Sequence, residues 1–230
     1  VKAVAIQGSP EMDRGTTAQV LNPFIEGMRS EECEVELFHA RKLKVKPCFG
    51  DFACWTKTPG ECVLKDDMQI LYPKFKEADI WLFGIPYYCI MPGEVQNLLN
   101  RLVALTEPVI RSGGGVMLPT RRAELNVKHV VLVSTCYFWE VEQFEPLVKV
   151  MEKLGDIIGV GPVQMLLRPH AGVFVQQLGA NSKAAEVQTA ARSAGSELVK
   201  SGSISEELIR SIGQPLISKE EFIEMHKKSF

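Results

Sequence analysis

Ser9, Thr16 and Thr17 stand among two glycines, Gly8 and Gly15, in the segment GSPEMDRGTT at residues 8–17. Gly8 frees the backbone to turn. A helix beginning near Thr16 or Thr17 presents unpaired N–H groups at the positive end of its dipole, and the hydroxyls add donors beside them. An anion belongs at such a place. The dinucleotide fingerprint G-x-G-x-x-G and the P-loop G-x-x-x-x-G-K-[ST] are both absent. No lysine lies between Gly8 and Gly15, and Arg14 is the one cation of the segment, so the donors are amides and hydroxyls and the anion that suits them is a terminal phosphate monoester. Two other stretches carry chemical groups: PYYCIMPG at residues 86–93, and the cysteines Cys48, Cys54 and Cys62 around Trp55. No metal spacing links His39, His129 and His170, and no Ser/His/Asp or Cys/His arrangement follows from the order of residues. Cys136 therefore reads as a small buried apolar residue rather than a nucleophile.

The elements that position these groups follow from periodicity. Val4 and Ile6 lie in an apolar run, the pattern of a strand covered on both faces, and Ala18, Leu21, Ile25 and Met28 make the helical stripe after it, with Pro23 expected to kink the helix. Residues 34–39 read as an edge strand. Residues 40–65 form a long loop without sustained period, and Asp66 and Asp67 can cap a helix through Phe75. Residues 80–84 are the third strand, and Val95, Leu98, Leu99, Leu102 and Val103 the helix after residues 86–93. Residues 112–122, SGGGVMLPTRR, are expected as an irregular excursion. Strands follow at 129–134 and 163–167, each with a helix behind it. Arg168-Pro169-His170 leaves the last strand as a turn on the surface or at the mouth of the site, and short helices near 205–212 and 218–228 close the sequence. This alternation specifies an α/β doubly wound five-stranded parallel sheet, order 2-1-3-4-5, with helices on both faces and a C-terminal helical extension. Residues 1–200 are the expected ligand-binding domain and 201–230 the extension packed on it. In such sheets the ligand sits at the carboxyl ends of the strands, where strands 1 and 3 part. Residues 8–17, 86–93 and 134–139 converge there.

GSPEMDRGTTAQVL resembles the phosphate loop of the flavodoxin-like NAD(P)H-dependent FMN reductases, the family that includes the iron-sulfur flavoproteins. PYYCIMPG resembles that family's second FMN loop, with Cys89 in place of an aromatic residue and Ile90 in place of a glycine. Taken alone, Tyr87, Tyr88 and Met91 are core fillers; together with the first loop they favour flavin. The resemblance implies that Ser9, Glu11, Arg14, Gly15, Thr16 and Thr17 hold the FMN phosphate. It also implies that Pro86, Tyr87, Tyr88, Cys89, Ile90, Met91 and Gly93 hold the ring and ribityl chain. Thr135, Cys136 and Tyr137 match the family's third loop by position only. Residues 48–68 resemble the iron-sulfur segment, except that Asp51 stands where its second cysteine would be. A [4Fe–4S] cluster takes four thiolates, so the expectation is FMN without a cluster and without metal.

At 230 residues and 46% hydrophobic content, the sequence suits one elaborated α/β domain. A net charge of −2 with no basic block argues against nucleic acid and against a polybasic membrane surface, and the most apolar stretch falls short of the ~20 residues a spanning helix needs. Six cysteines are too few for a disulfide scaffold, so reduced thiols and a cytoplasmic location are expected. The expected function is transfer of electrons from NAD(P)H through FMN to a flavin, quinone or redox-protein acceptor, in a homodimer or homotetramer, with no side chain needed as acid or base. An FMN-binding electron carrier and a thiol or metal sensor built on residues 48–62 are the alternatives.

Overall fold

The computed structural model describes residues 1–113, 116–179 and 182–229. In order these form β1 (Lys2–Gln7), α1 (Ala18–Ser30), β2 (Glu34–His39), the single turn α2 (Ala53–Thr56), α3 (Met68–Glu77), β3 (Ile80–Pro86) and α4 (Gly93–Arg101). Then come β4 (Thr106–Gly113), β5 (Val116–Arg121), β6 (His129–Thr135), α5 (Glu145–Ile158), β7 (Gln164–Arg168) and α6 (Ala171–Gln176). The chain ends in α7 (Lys183–Ser201), α8 (Glu206–Gly213) and α9 (Lys219–Ser229). The main sheet is parallel throughout in the order β2-β1-β3-β6-β7. That is the expected 2-1-3-4-5 arrangement of a flavodoxin-like fold, with a separate antiparallel hairpin, β4 and β5, inserted between the third and fourth sheet strands.

The hairpin replaces the expected irregular excursion. Its strands pair from Thr106 with Arg121 to Gly113 with Val116, and the register slips between Glu107 and Ile110, around Pro108, which has no N–H to give the ladder. Residues 114 and 115 of the expected excursion lie outside the described residues.

Strand alternation sorts the core into two layers. Val4 and Ile6 join Trp81, Phe83, Met68, Phe75, Val95, Leu98, Leu147 and Met151 on one face. Ala3 and Ala5 join Leu21, Phe24, Leu82, Val131, Val187, Ala191 and Ala194 on the other. Glycines at the contact between α1 and α7 let the two helices approach backbone to backbone: a Cβ at Gly27 would strike the Arg192 carbonyl and one at Gly195 the Phe24 carbonyl. Pro23 does not break α1. The Gln19 carbonyl, which a proline four residues on cannot satisfy, accepts the side-chain Nε2 of Gln188 at 3.1 Å instead. No helix among the described residues is long and apolar enough to cross a membrane.

Candidate flavin site

Three loops at the carboxyl ends of β1, β3 and β6 wall one cleft. Gln7 closes β1, and its side-chain Oε1 accepts the Ser9 N–H at 3.0 Å, while Ser9 Oγ accepts the Glu11 N–H at 3.3 Å. Both glycines are required by close approach. A Cβ at Gly8 would sit 2.5 Å from Val95 Cγ2 and 3.1 Å from the Gly84 carbonyl, and one at Gly15 would collide with the Ser9 hydroxyl. Gly15 O accepts the Ala18 N–H at 3.0 Å, Thr17 O accepts from Val20 and Leu21, and the N–H groups of Thr16 and Thr17 find no acceptor among the described residues. These two amides lie side by side at the start of α1. The Thr17 hydroxyl, buried, meets the Thr135 hydroxyl at 2.8 Å, which ties the first loop to the third. Arg14 and Glu11 form an exposed ion pair at 3.8 Å on the rim.

The cleft holds about 350 Å³ and is lined by Ser9, Glu11, Arg14, Gly15, Thr16, Thr17, Pro86, Tyr87, Tyr88, Thr135, Cys136 and Tyr137, with Ala171 and Gly172 from the start of α6. The structure thus brings together all of the first-loop and third-loop residues named from sequence. It divides the second loop. The Tyr87 N–H donates to the Thr135 carbonyl at 2.9 Å and its ring meets Phe144 edge-on at 5.9 Å. Tyr88 is half exposed at the mouth, and burial, followed by the charge of Glu11, raises its phenol. Cys89, Ile90, Met91 and Gly93 are not among the residues lining the cleft. Met91 turns inward and packs with Val95 and Leu98, because an unbranched apolar side chain reaches the core more readily than it covers a wet ring. Ile90 adopts φ +77°, the backbone a glycine takes freely and a β-branched residue takes at a cost.

Cys136 is buried, and burial pushes its thiol up to about 11, which makes it a poor nucleophile at neutral pH. Arg168 and His170 are not a surface turn: both are fully buried. Arg168 gives its side-chain N–H groups to the carbonyls of Pro169 (2.9 Å) and Ile212 (2.8 Å) and to His170 Nε2 (2.7 Å), and the His170 ring stacks on Trp139 at 6.2 Å. Nothing local in Arg168-Pro169-His170 announces this burial, since it depends on the Ile212 carbonyl of α8 and on the Leu216 N–H after it, which donates to His170 Nε2 at 3.1 Å. The start of α6, just after β7, could have been added to the site by the strand-end rule that identified the three loops. The C-terminal segment also reaches the cleft. Tyr137 Oη lies 2.7 Å from His226 Nδ1, the Tyr137 ring lies against Phe222, and Lys219 pairs with Glu140 at 2.6 Å.

The cysteine loop forms a second, apolar cavity of about 260 Å³ lined by Cys48, Cys54 and Cys62 with Phe49, Phe52, Val63, Leu64 and Arg101. Asp51 is spent on local structure, its Oδ1 accepting the Ala53 N–H at 3.2 Å at the start of α2. Among the described residues no group of three or more His, Cys, Asp or Glu side chains is disposed to hold a metal ion. Three thiols and a capping carboxylate do not fit a four-thiolate cluster.

Residues 1–138 match the family model of the NADPH-dependent FMN reductases. The chain belongs to this family. It is 33% identical over 102 residues to an iron-sulfur flavoprotein of Archaeoglobus fulgidus, covering 44% of this chain and 48% of that one. It is 29% identical over 109 residues to iron-sulfur flavoprotein MJ1083 of Methanocaldococcus jannaschii, covering 47% and 53%. The chain therefore spans about half the length of the curated relatives it matches. In fold it is similar to the NAD(P)H:quinone oxidoreductase from Methanothermobacter marburgensis, with TM-score 0.62, 16% identity and coverage of 86% of this chain and 98% of that one. It is likewise similar to an azoreductase from Bacillus anthracis, with TM-score 0.60, 11% identity and coverage of 86% and 98%.

Proposed function

We propose that the protein is an FMN-dependent oxidoreductase that takes electrons from NAD(P)H and passes them to a small-molecule or redox-protein acceptor. The observation that carries this reading is the pair of unsatisfied amides at Thr16 and Thr17, opening into a cleft walled by residues 86–88 and 135–137. A phosphate monoester satisfies both N–H groups and meets the positive end of α1. Bound FMN supplies hydride acceptance and electron transfer. The chain supplies grip and shape. Ser9, Thr16 and Thr17 hold the phosphate by hydroxyl and amide, with Arg14 and Glu11 at the rim and Gly15 giving the anion room. Pro86, Tyr87 and Tyr88 form the wall for the flat ring, with Thr135, Cys136 and Tyr137 opposite. Cys89, Ile90 and Gly93 shape the second loop from outside the cleft. No side chain acts as acid or base.

Tyr88, Tyr137 and Phe138, each about half exposed, suit a planar nicotinamide or aromatic acceptor that must stack and leave. Exposed Phe49, Val109 and Met117 support a homodimer or homotetramer, which light scattering resolves, and the unbridged thiols support a cytoplasmic location. Anaerobic mixing with NADPH or NADH, then with a quinone, tests the activity. Reduction of the flavin followed by reoxidation on quinone addition is the expected result. Bound flavin that neither nicotinamide reduces would make the protein a carrier of single electrons instead.

A further inference from the structure

We infer that Arg168 is the buried counter-charge of the phosphate cradle, stabilising an anionic ligand through its field without touching it; this rests on the reading of the cradle as an FMN phosphate site. Three arginines are buried among the described residues: Arg101, Arg122 and Arg168. Arg101 faces Asp66 at 2.7 Å and Arg122 faces Glu107 at 3.8 Å. Arg168 has no carboxylate within ion-pair reach among the described residues; its partners are two carbonyls, an imidazole nitrogen and the face of the Phe174 ring 6.0 Å away, none of which carries a negative charge. That imidazole is neutral. Burial, and then the charge of Arg168, push His170 down to about 4, and its Nε2 accepts from both Arg168 and the Leu216 N–H. Burial also lowers Arg168, to about 10, which leaves it a cation at neutral pH. A buried ion with no counter-ion is costly to keep.

The missing negative charge has a place to sit. Arg168 is the register partner of Thr135 across β6 and β7, so the two side chains leave the sheet on the same face. Thr135 in turn bonds Thr17 at the cradle. The Cys136 N–H donates to the Arg168 carbonyl at 3.2 Å, and the Arg168 charge acts on the Cys136 thiol in the cleft wall. In a low-dielectric setting a buried cation favours a dianion bound on the same face of the sheet. The exposed Arg14, screened by water and paired with Glu11, contributes far less.

Equilibrium dialysis of the full chain against FMN and against riboflavin, which lacks the phosphate, tests this in the wild type, Arg168→Met and Arg168→Lys. The Met variant is expected to weaken FMN by about tenfold or more and to leave riboflavin within about twofold, while the Lys variant stays close to wild type for both. A purely structural role for Arg168 would weaken both flavins equally, and that result overturns the inference, as does a Met variant that keeps the wild-type preference for FMN. Wild-type protein that does not prefer FMN to riboflavin would instead sink the reading of the cradle itself. If the Met variant does not fold, phosphorus NMR of FMN bound to wild type decides. The bound phosphate should stay dianionic well below the free second pKa of about 6, and titration at the free value overturns the proposal.

Discussion

Two hydroxyls 118 residues apart in sequence, those of Thr17 and Thr135, meet at 2.8 Å beneath the cradle. A hydroxyl accepts and donates at once, so Thr17 can take a hydrogen bond from Thr135 and give one to a phosphate oxygen. Thr17→Ala should weaken FMN binding by about 1 kcal/mol or more, the scale of one neutral hydrogen bond plus the partner it leaves behind; unchanged affinity by dialysis in both this variant and Ser9→Ala would remove the assignment. Ile90 offers a different experiment. A non-glycine residue in a sparsely populated backbone region costs about 1–3 kcal/mol, and the extra chain entropy of glycine offsets about 0.5–1 of that. Ile90→Gly should therefore raise the urea midpoint, and a lower midpoint would show that the loop holds φ +77° without strain. Ser9, Thr16 and Thr17 were legible because a glycine turn and a helix start are local signals. Met91, Arg168 and His170 were not, because core space, the distant Ile212 carbonyl and the Leu216 N–H decided where they point.

At the scale of elements, α4 is clamped to the start of α3 by a buried bidentate ion pair, Arg101 Nη1 and Nη2 to Asp66 Oδ2 and Oδ1 at 2.7 and 3.1 Å, with side-chain exposures of 0% and 2%. Burial alone would raise the Asp66 carboxyl. Hydrogen bonds from Arg101 and from the N–H groups of Lys46 and Met68 outweigh it and leave the group below its ordinary value. Its folded pKa is thus the lower one, so the pair stabilises fully above the unfolded carboxyl value of about 3.9 and is lost as pH falls through the folded value. Asp66→Asn should cost about 3–5 kcal/mol at pH 7, because Arg101 stays buried and unpaired. Urea unfolding should show that cost shrinking toward pH 3; a pH-independent cost would mean that packing, and not charge, is what Asp66 supplies. The loop between β2 and α3 carries its own test. Iron and acid-labile sulfide assays on anaerobically purified protein should find neither in stoichiometric amount, and Asp51→Cys should gain both if the loop keeps its relatives' ligand geometry. Near-stoichiometric iron and sulfide in the wild type would contradict the reading. Strand and helix alternation was legible throughout the main sheet, since burial on both faces imposes it. The β4–β5 hairpin was not, because Gly113 and Pro119 mask a strand pattern that pairing sustains.

For the whole molecule, the topology rule alone placed the cleft: three strand ends meet where β1 and β3 part, whatever the side chains. The docking of α9 against Tyr137 was beyond that rule, because it depends on Tyr137, Phe222 and His226 meeting in space rather than on any period within the helix. If this assembly holds one FMN by its phosphate, the identity and amount of flavin released when the purified protein is denatured will show it. FMN approaching one per chain is the expected result. Release of riboflavin or of a dinucleotide flavin in that amount, or of no flavin from protein that also fails to bind added FMN, would contradict it.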